Sequence, residues 1–139
     1  MSDMKVSEPL VAYGLMPQNL DSDLEIIHYA RKGVKTKMLW DFLKNIGSSK
    51  AEFEELLPYS LKTFSRKEIL DEPMGERVLN IIRVFKKGEE LFGDIDLFKH
   101  WLQKDHPMLG DKPKHFLNTS TGCQVVIDEL GRAQHGVMS

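Results

Sequence analysis

The sequence predicts an all-α protein, and three observations carry that prediction. Apolar residues recur at the three- and four-residue spacing of a helix face through most of the 139 residues. Capping residues and glycines fall where such helices would begin and end. No run of alternating apolar and polar residues is long enough to mark a useful strand.

Residues 1–20 read as an arm lying on the body, because Pro9, Gly14 and Pro17 interrupt any period and leave only short apolar pieces such as Leu10-Val11-Ala12-Tyr13 to dock. Asp21 or Ser22 can cap a first helix carrying Leu24, Ile26, Ile27 and Ala30, with Gly33 placed to end it. Thr36 can cap a second, in which Leu39, Phe42, Leu43 and Ile46 line one buried face before Gly47 stops it. Ser49-Lys50-Ala51-Glu52 has the form of a capping box and opens a short helix with Phe53, Leu56 and Leu57 inward. Pro58 ends that helix, and Ser60 can cap a fourth with Leu61 and Phe64 apolar.

Pro73 suits the first turn of the longest helix, whose stripe is Val78, Ile81, Ile82, Phe85 and Phe92. Gly93-Asp94 breaks and recaps the chain ahead of Leu97, Phe98, Trp101 and Leu102. A loop from Lys104 to Lys112 holds Pro107 and Gly110, and Pro113 to Leu117 make one or two helical turns. Thr119 or Ser120 caps a last helix with Val126, Leu130 and Ala133, ended by Gly136.

Composition bounds the function. Hydrophobic residues make up 41% of the chain, enough for a core, and the formal net charge of -2 argues against a protein coated in basic charge. A local basic face remains compatible with that total. The single cysteine, Cys123, cannot form an internal disulfide and has no CxxC partner for zinc, which fits a reducing cytoplasm. Met1-Ser2-Asp3-Met4 lacks the basic and apolar regions of a signal peptide, and no stretch approaches the roughly 18 apolar residues of a membrane span. A soluble cytoplasmic protein without a membrane role is expected.

Enzyme chemistry finds no support. Gly110-Asp111-Lys112-Pro113 lacks the spacing and the hydroxyl residue of a phosphate-binding loop. His28, His100, His106, His115 and His135 show no metal-ligand spacing with each other or with Cys123. Cys123 follows Gly122 near a helix start and reads as a packing residue. The pairs Glu54/Glu55 and Glu89/Glu90 are adjacent, so each pair points to different helix faces and reads as solvated charge. Neither cofactor nor metal is expected, and the protein is not read as an enzyme.

Residues Ser49 to Lys67 have the layout of a helix-turn-helix, in which the second helix leads into the major groove. Lys62, Thr63, Ser65, Arg66 and Lys67, with Ser60 at the start, supply the cations and hydroxyls that contact phosphates and base edges. Arg31, Lys32, Lys35 and Lys37 form a second basic cluster around the first turn between helices. The same pattern fits two amphipathic helices with a solvated basic face, and Pro58 is unusual in such a turn. The residues alone leave both readings open.

The downstream order is more specific: Phe92-Gly93-Asp94, Trp101-Leu102, Leu109-Gly110, Pro113, Phe116-Leu117, Thr119, Gly122, Val126, Leu130 and Gly136-Val137. It resembles the toxin-binding domain of Xre/RES-type bacterial antitoxins, the Xre/MbcA/ParS family. Ser60-Leu61-Lys62-Thr63-Phe64-Ser65-Arg66-Lys67 is similar to the end of that family's helix-turn-helix. The resemblance runs from about residue 23 to 137. This chain departs at Gly88 and Phe98, where the family often has alanine, and at His135, where tyrosine is frequent. As folding signals, Gly110 allows a turn that a Cβ would hinder, and Gly122 permits a close approach.

Beyond the arm over 1–20, the resemblance implies an Xre-like helix-turn-helix domain over 21–70 and a helical toxin-binding domain over 71–139. It implies an antitoxin of a type II toxin–antitoxin pair that occludes the active site of a RES-domain toxin, whose family consumes NAD. Arg132, His135, Gly136 and Val137 are expected at or near that contact. It further implies operator binding as a homodimer, with autoregulation. The alternatives are a stand-alone regulator whose C-terminal half only dimerises, and a toxin-binding protein without DNA binding.

Overall fold

The structure is a computed structural model and describes residues 20–57, 60, 62, 63 and 66–133. It is helical apart from one very short strand pair, as the sequence predicts. The chain divides into two compact units, Met1–Leu79 and Asn80–Ser139, with one long helix running through the division. Of the expected arm only Leu20 is described, and it is buried.

In the first unit, helix α1 spans Asp23–Lys32, capped by the Ser22 hydroxyl, which accepts from the Glu25 amide. Gly33, at φ 103°, ends it. Ile26 and Ala30 are buried, whereas Leu24, expected inward, is 73% exposed. Two positions before Ile26 is about 200° round the helix, so both cannot face the same core.

Strand β1, Val34–Lys35, pairs antiparallel with β2, Ile69–Leu70, Val34 lying opposite Leu70. Two residues per strand leave no periodicity to read in a sequence. The pairing also changes the start of helix α2, Thr36–Ile46. Thr36 is its first helical residue rather than its cap, and Lys35 occupies the cap position without a side-chain bond. The Thr36 amide donates to the Glu68 carbonyl at 2.9 Å, and its hydroxyl donates to the Lys67 carbonyl at 2.5 Å. Extended backbone beside α2 thus does the work expected of a cap. Leu39, Phe42, Leu43 and Ile46 are buried as the spacing predicts, and Gly47 closes α2 at φ 69°.

Helix α3, Lys50–Glu54, carries the complete capping box between Ser49 and Glu52. Phe53 is buried with its ring edge-on to Phe42, centroids 6.4 Å apart. Leu57 is buried and Leu56 half-buried. Pro58, Leu61 and Phe64 lie outside the described residues.

Helix α4, Glu72–Phe92, has Pro73 in its first turn, and the Asp71 carboxylate accepts from the Met74 amide. Its apolar face is wider than the expected stripe: every residue from Val78 to Phe85 is buried, including Asn80 and Arg83, which bond to each other at 3.0 Å. A helix covered all round carries apolar residues all round.

In the second unit, Gly93 (φ 74°) ends α4, and Asp94 caps helix α5, Ile95–Leu102, by accepting from the Asp96 amide. Phe98 and Leu102 are buried and Trp101 is half-buried, but Leu97 is 55% exposed. The Phe98 ring lies 5.4 Å from Phe85, 5.8 Å from Phe92 and 5.8 Å from Trp101, centroid to centroid. Pro113–Phe116 form a single tight 3-10 turn. Helix α6, Ser120–Arg132, is capped by the Thr119 hydroxyl, which accepts from the Gly122 amide at 2.9 Å. A Cβ on Gly122 would stand 1.8 Å from the Phe116 carbonyl oxygen, so the predicted close approach is backbone against helix. Cys123, Val126 and Leu130 are buried, and the Cys123 thiol donates to the Leu117 carbonyl. Gly136, expected to end α6, lies outside the described residues.

Candidate functional site

The first unit carries the candidate nucleic-acid residues. Ser60, Lys62, Thr63, Arg66 and Lys67 are all exposed, while Ser65 lies outside the described residues. The Thr63 amide donates to the Ser60 carbonyl at 3.1 Å and their hydroxyls lie 3.3 Å apart, and Lys62 and Thr63 are helical. The two bonds from Thr36 to the Lys67 and Glu68 carbonyls, with Lys35 opposite Ile69 in the strand pair, join the backbone at Lys35 and Thr36 to that of residues 67–69. Two segments that are separate in sequence and carry exposed lysines are therefore joined through their backbones. Carboxylates are interleaved with them: Lys37 pairs with Asp41 at 3.0 Å, Lys67 with Asp71 at 3.4 Å and Arg31 with Glu72 at 3.2 Å. Exposed pairs of this kind are weak and screened by salt, so their cations can exchange a carboxylate for a phosphate.

The second unit holds a tighter arrangement at the end of α6. Arg132, 62% exposed at its side chain, sets its Nε at 3.1 Å from Glu129 Oε1 and places Nη2 on the same oxygen. That contact, first as a hydrogen bond and then through charge, raises the pKa of Arg132 further. Glu129 itself is buried, on the stripe that includes Val126 and Leu130. Its other oxygen, Oε2, faces His106 Nε2 at 3.4 Å.

His106 is fixed from several sides. Its Nδ1 accepts from the Met108 amide at 3.2 Å, which leaves the ring proton of a neutral imidazole on Nε2, toward Glu129. Its ring stands edge-on to Trp101 at 5.7 Å. Its backbone closes the loop 103–112, donating to the Asp111 carbonyl at 3.1 Å and accepting from Gly110 at 2.9 Å, with Gly110 at φ 74° as the turn requires. Asp111 is held below its ordinary pKa, mainly by the Lys112 amide and next by His115, whose Nδ1 is 2.9 Å away. Of the expected toxin contacts, Arg132 stands at this site, and His135, Gly136 and Val137 lie outside the described residues.

Residues 87–136 match the family model described as the antitoxin Xre/MbcA/ParS C-terminal toxin-binding domain. Over these residues the chain is similar to the Xre/MbcA/ParS toxin-binding domain. No curated protein matches the chain. The matched stretch takes in the end of α4, all of α5, the loop 103–112 and all of α6. An antitoxin domain of this kind acts by binding a toxin rather than by catalysis.

Within the matched stretch, the departures at Gly88 and Phe98 are one feature. A Cβ on Gly88 would stand 2.3 Å from the Phe98 ring, so glycine at one position makes the space that phenylalanine fills at the other. Sequence reasoning missed Glu129 and His106. A carboxylate three residues after Val126 and one before Leu130 sits on an apolar stripe, and that misplacement was the available signal.

Proposed function

We propose that this protein is the antitoxin of a type II toxin–antitoxin pair and neutralises a RES-domain, NAD-consuming toxin by occluding its active site. The observation that carries this reading is the match of residues 87–136 to a toxin-binding domain, in the order and spacing of motifs found along the sequence. Arg132, His135, Gly136 and Val137 form the occluding contact, and the exposed guanidinium at the end of α6 supports placing it there. The domains are an arm over 1–20, a DNA-binding domain over 21–70 and the toxin-binding domain over 71–139. Through Ser60, Lys62, Thr63, Ser65, Arg66 and Lys67 the protein binds its own operator as a homodimer, two half-sites requiring two reading helices, and represses its operon. The backbone join of the segment carrying the exposed Lys35 and Lys37 to the one carrying the exposed Lys67 supports a phosphate-binding face. The site of action is the cytoplasm, and among the described residues no helix is long and apolar enough to cross a membrane.

The test is co-expression with the product of the adjacent gene. A RES-domain protein should co-purify with the full chain, and cells should keep growing and retain NAD. A chain ending at Arg132 should fold but fail to protect. Absence of co-purification, or full protection by the shortened chain, would overturn the proposed occlusion.

A further inference from the structure

Glu129 is not where a carboxylate belongs. It lies on the buried stripe of α6, 6% exposed, and a carboxylate taken out of water is costly unless partners compensate it. Its two oxygens are divided between two elements. Oε1 takes the Nε and Nη2 edge of Arg132, one turn along α6, and Oε2 faces His106 of the loop 103–112. An exposed arginine on a helix end ordinarily samples many rotamers, and ordering it on binding is costly. Here one edge of the guanidinium is already fastened to a group that is itself immobile. The planar fork then has one orientation, and its remaining N–H groups, both on Nη1 and the second on Nη2, form the edge turned away from Glu129. With the charge of one carboxylate already beside it, this guanidinium acts as a shaped donor more than as a bare cation.

We propose that Glu129 is a positioning residue for toxin binding: fixed by His106, it presents the outward edge of Arg132 to an acceptor oxygen, a carboxylate or a backbone carbonyl, on the toxin. The inference rests on the reading that the end of α6 contacts the toxin. It adds residues 23 positions apart in sequence, from a loop and a helix core, to a contact otherwise assigned to the tail.

The experiment is a double-mutant cycle on the full chain. The affinity of Arg132→Ala, Glu129→Gln and the double variant for the catalytically inactivated RES-domain protein of the adjacent gene is measured alongside thermal melts. Each single change should weaken binding about tenfold or more, and the double variant should bind no worse than Arg132→Ala alone. Arg132→Lys keeps the charge but loses the fork, and its exposed position spares the fold, so it should bind as poorly as Arg132→Ala. In the free protein, the Arg132 Nε–H resonance should be sharp and become exchange-broadened in Glu129→Gln. Additive losses, or wild-type binding by Arg132→Lys, would show that Glu129 does not act through an oriented Arg132. Unchanged binding by Arg132→Ala, with binding abolished by a chain ending at Arg132, would reject this proposal and leave the tail reading standing. If neither change affects binding, the tail reading falls with it.

Discussion

Gly88 and Phe98 show how far a single position depends on another. Adding a methyl at Gly88 puts carbon 2.3 to 2.4 Å from three atoms of the Phe98 ring, and that ring is boxed by Phe85, Phe92 and Trp101. Overpacking of this kind costs about 1–3 kcal/mol, which outweighs the roughly 0.5–1 kcal/mol that alanine gains over glycine inside a helix. Gly88→Ala is therefore expected to destabilise the protein by about 1–2 kcal/mol in denaturant titration. Phe98→Ala should cost about 3–5 kcal/mol through the cavity it leaves. The double variant, which restores the residue pair frequent in the family, should be clearly less destabilised than the sum of the two, and simple additivity would contradict the coupling. Each departure was legible in the sequence, but the relation between them was not, because it crosses from α4 to α5 and has no local spacing. The contact between Glu129 and His106 escaped for the same reason.

Local signals decided most element boundaries. Ser22, Ser49 with Glu52, Asp94 and Thr119 cap the helices they were expected to cap, and Gly33, Gly47 and Gly93 end helices at positive φ. These devices operate within four residues, so a linear reading finds them. Thr36 failed because its partners lie 31 residues away, on the segment leading into β2. The loop 103–112 carries a testable electrostatic element in Asp111. Its carboxylate accepts from the Lys112 amide at 2.6 Å and contacts His115, and its pKa lies below the ordinary 3.8. A lowered carboxylate pKa contributes stability that is present above 3.8 and is lost as pH falls through the folded value. Asp111→Asn should accordingly be less stable than wild type at about pH 5, and the gap should close on the acid side of 3.8. Urea midpoints across that range measure it, and a gap that persists in acid would assign the loss to something other than ionisation.

At the scale of the whole molecule, the all-α class and the similarity of residues 87–136 to a toxin-binding domain were legible, because landmark order and helical periodicity survive any detail of packing. The exposed basic residues of the first unit lead to a separate expectation. Replacing Arg66 and Lys67 by alanine should weaken operator binding and reduce the slope of log affinity against log salt by roughly two, while toxin neutralisation persists. Gel shifts across a salt series would show this, and unchanged operator affinity would remove these residues from the DNA contact. The clasp at Thr36 carries a consequence for dissection of the chain. Its two bonds and the strand pair join the start of α2 to residues 67–70, so any fragment cut before Lys67 loses both at once. A peptide covering only Ser49 to Lys67 should therefore behave as a fluctuating coil with nascent helix. The shortest autonomous version of this region has to run past Leu70, which sets where limited proteolysis should, and should not, yield a stable product.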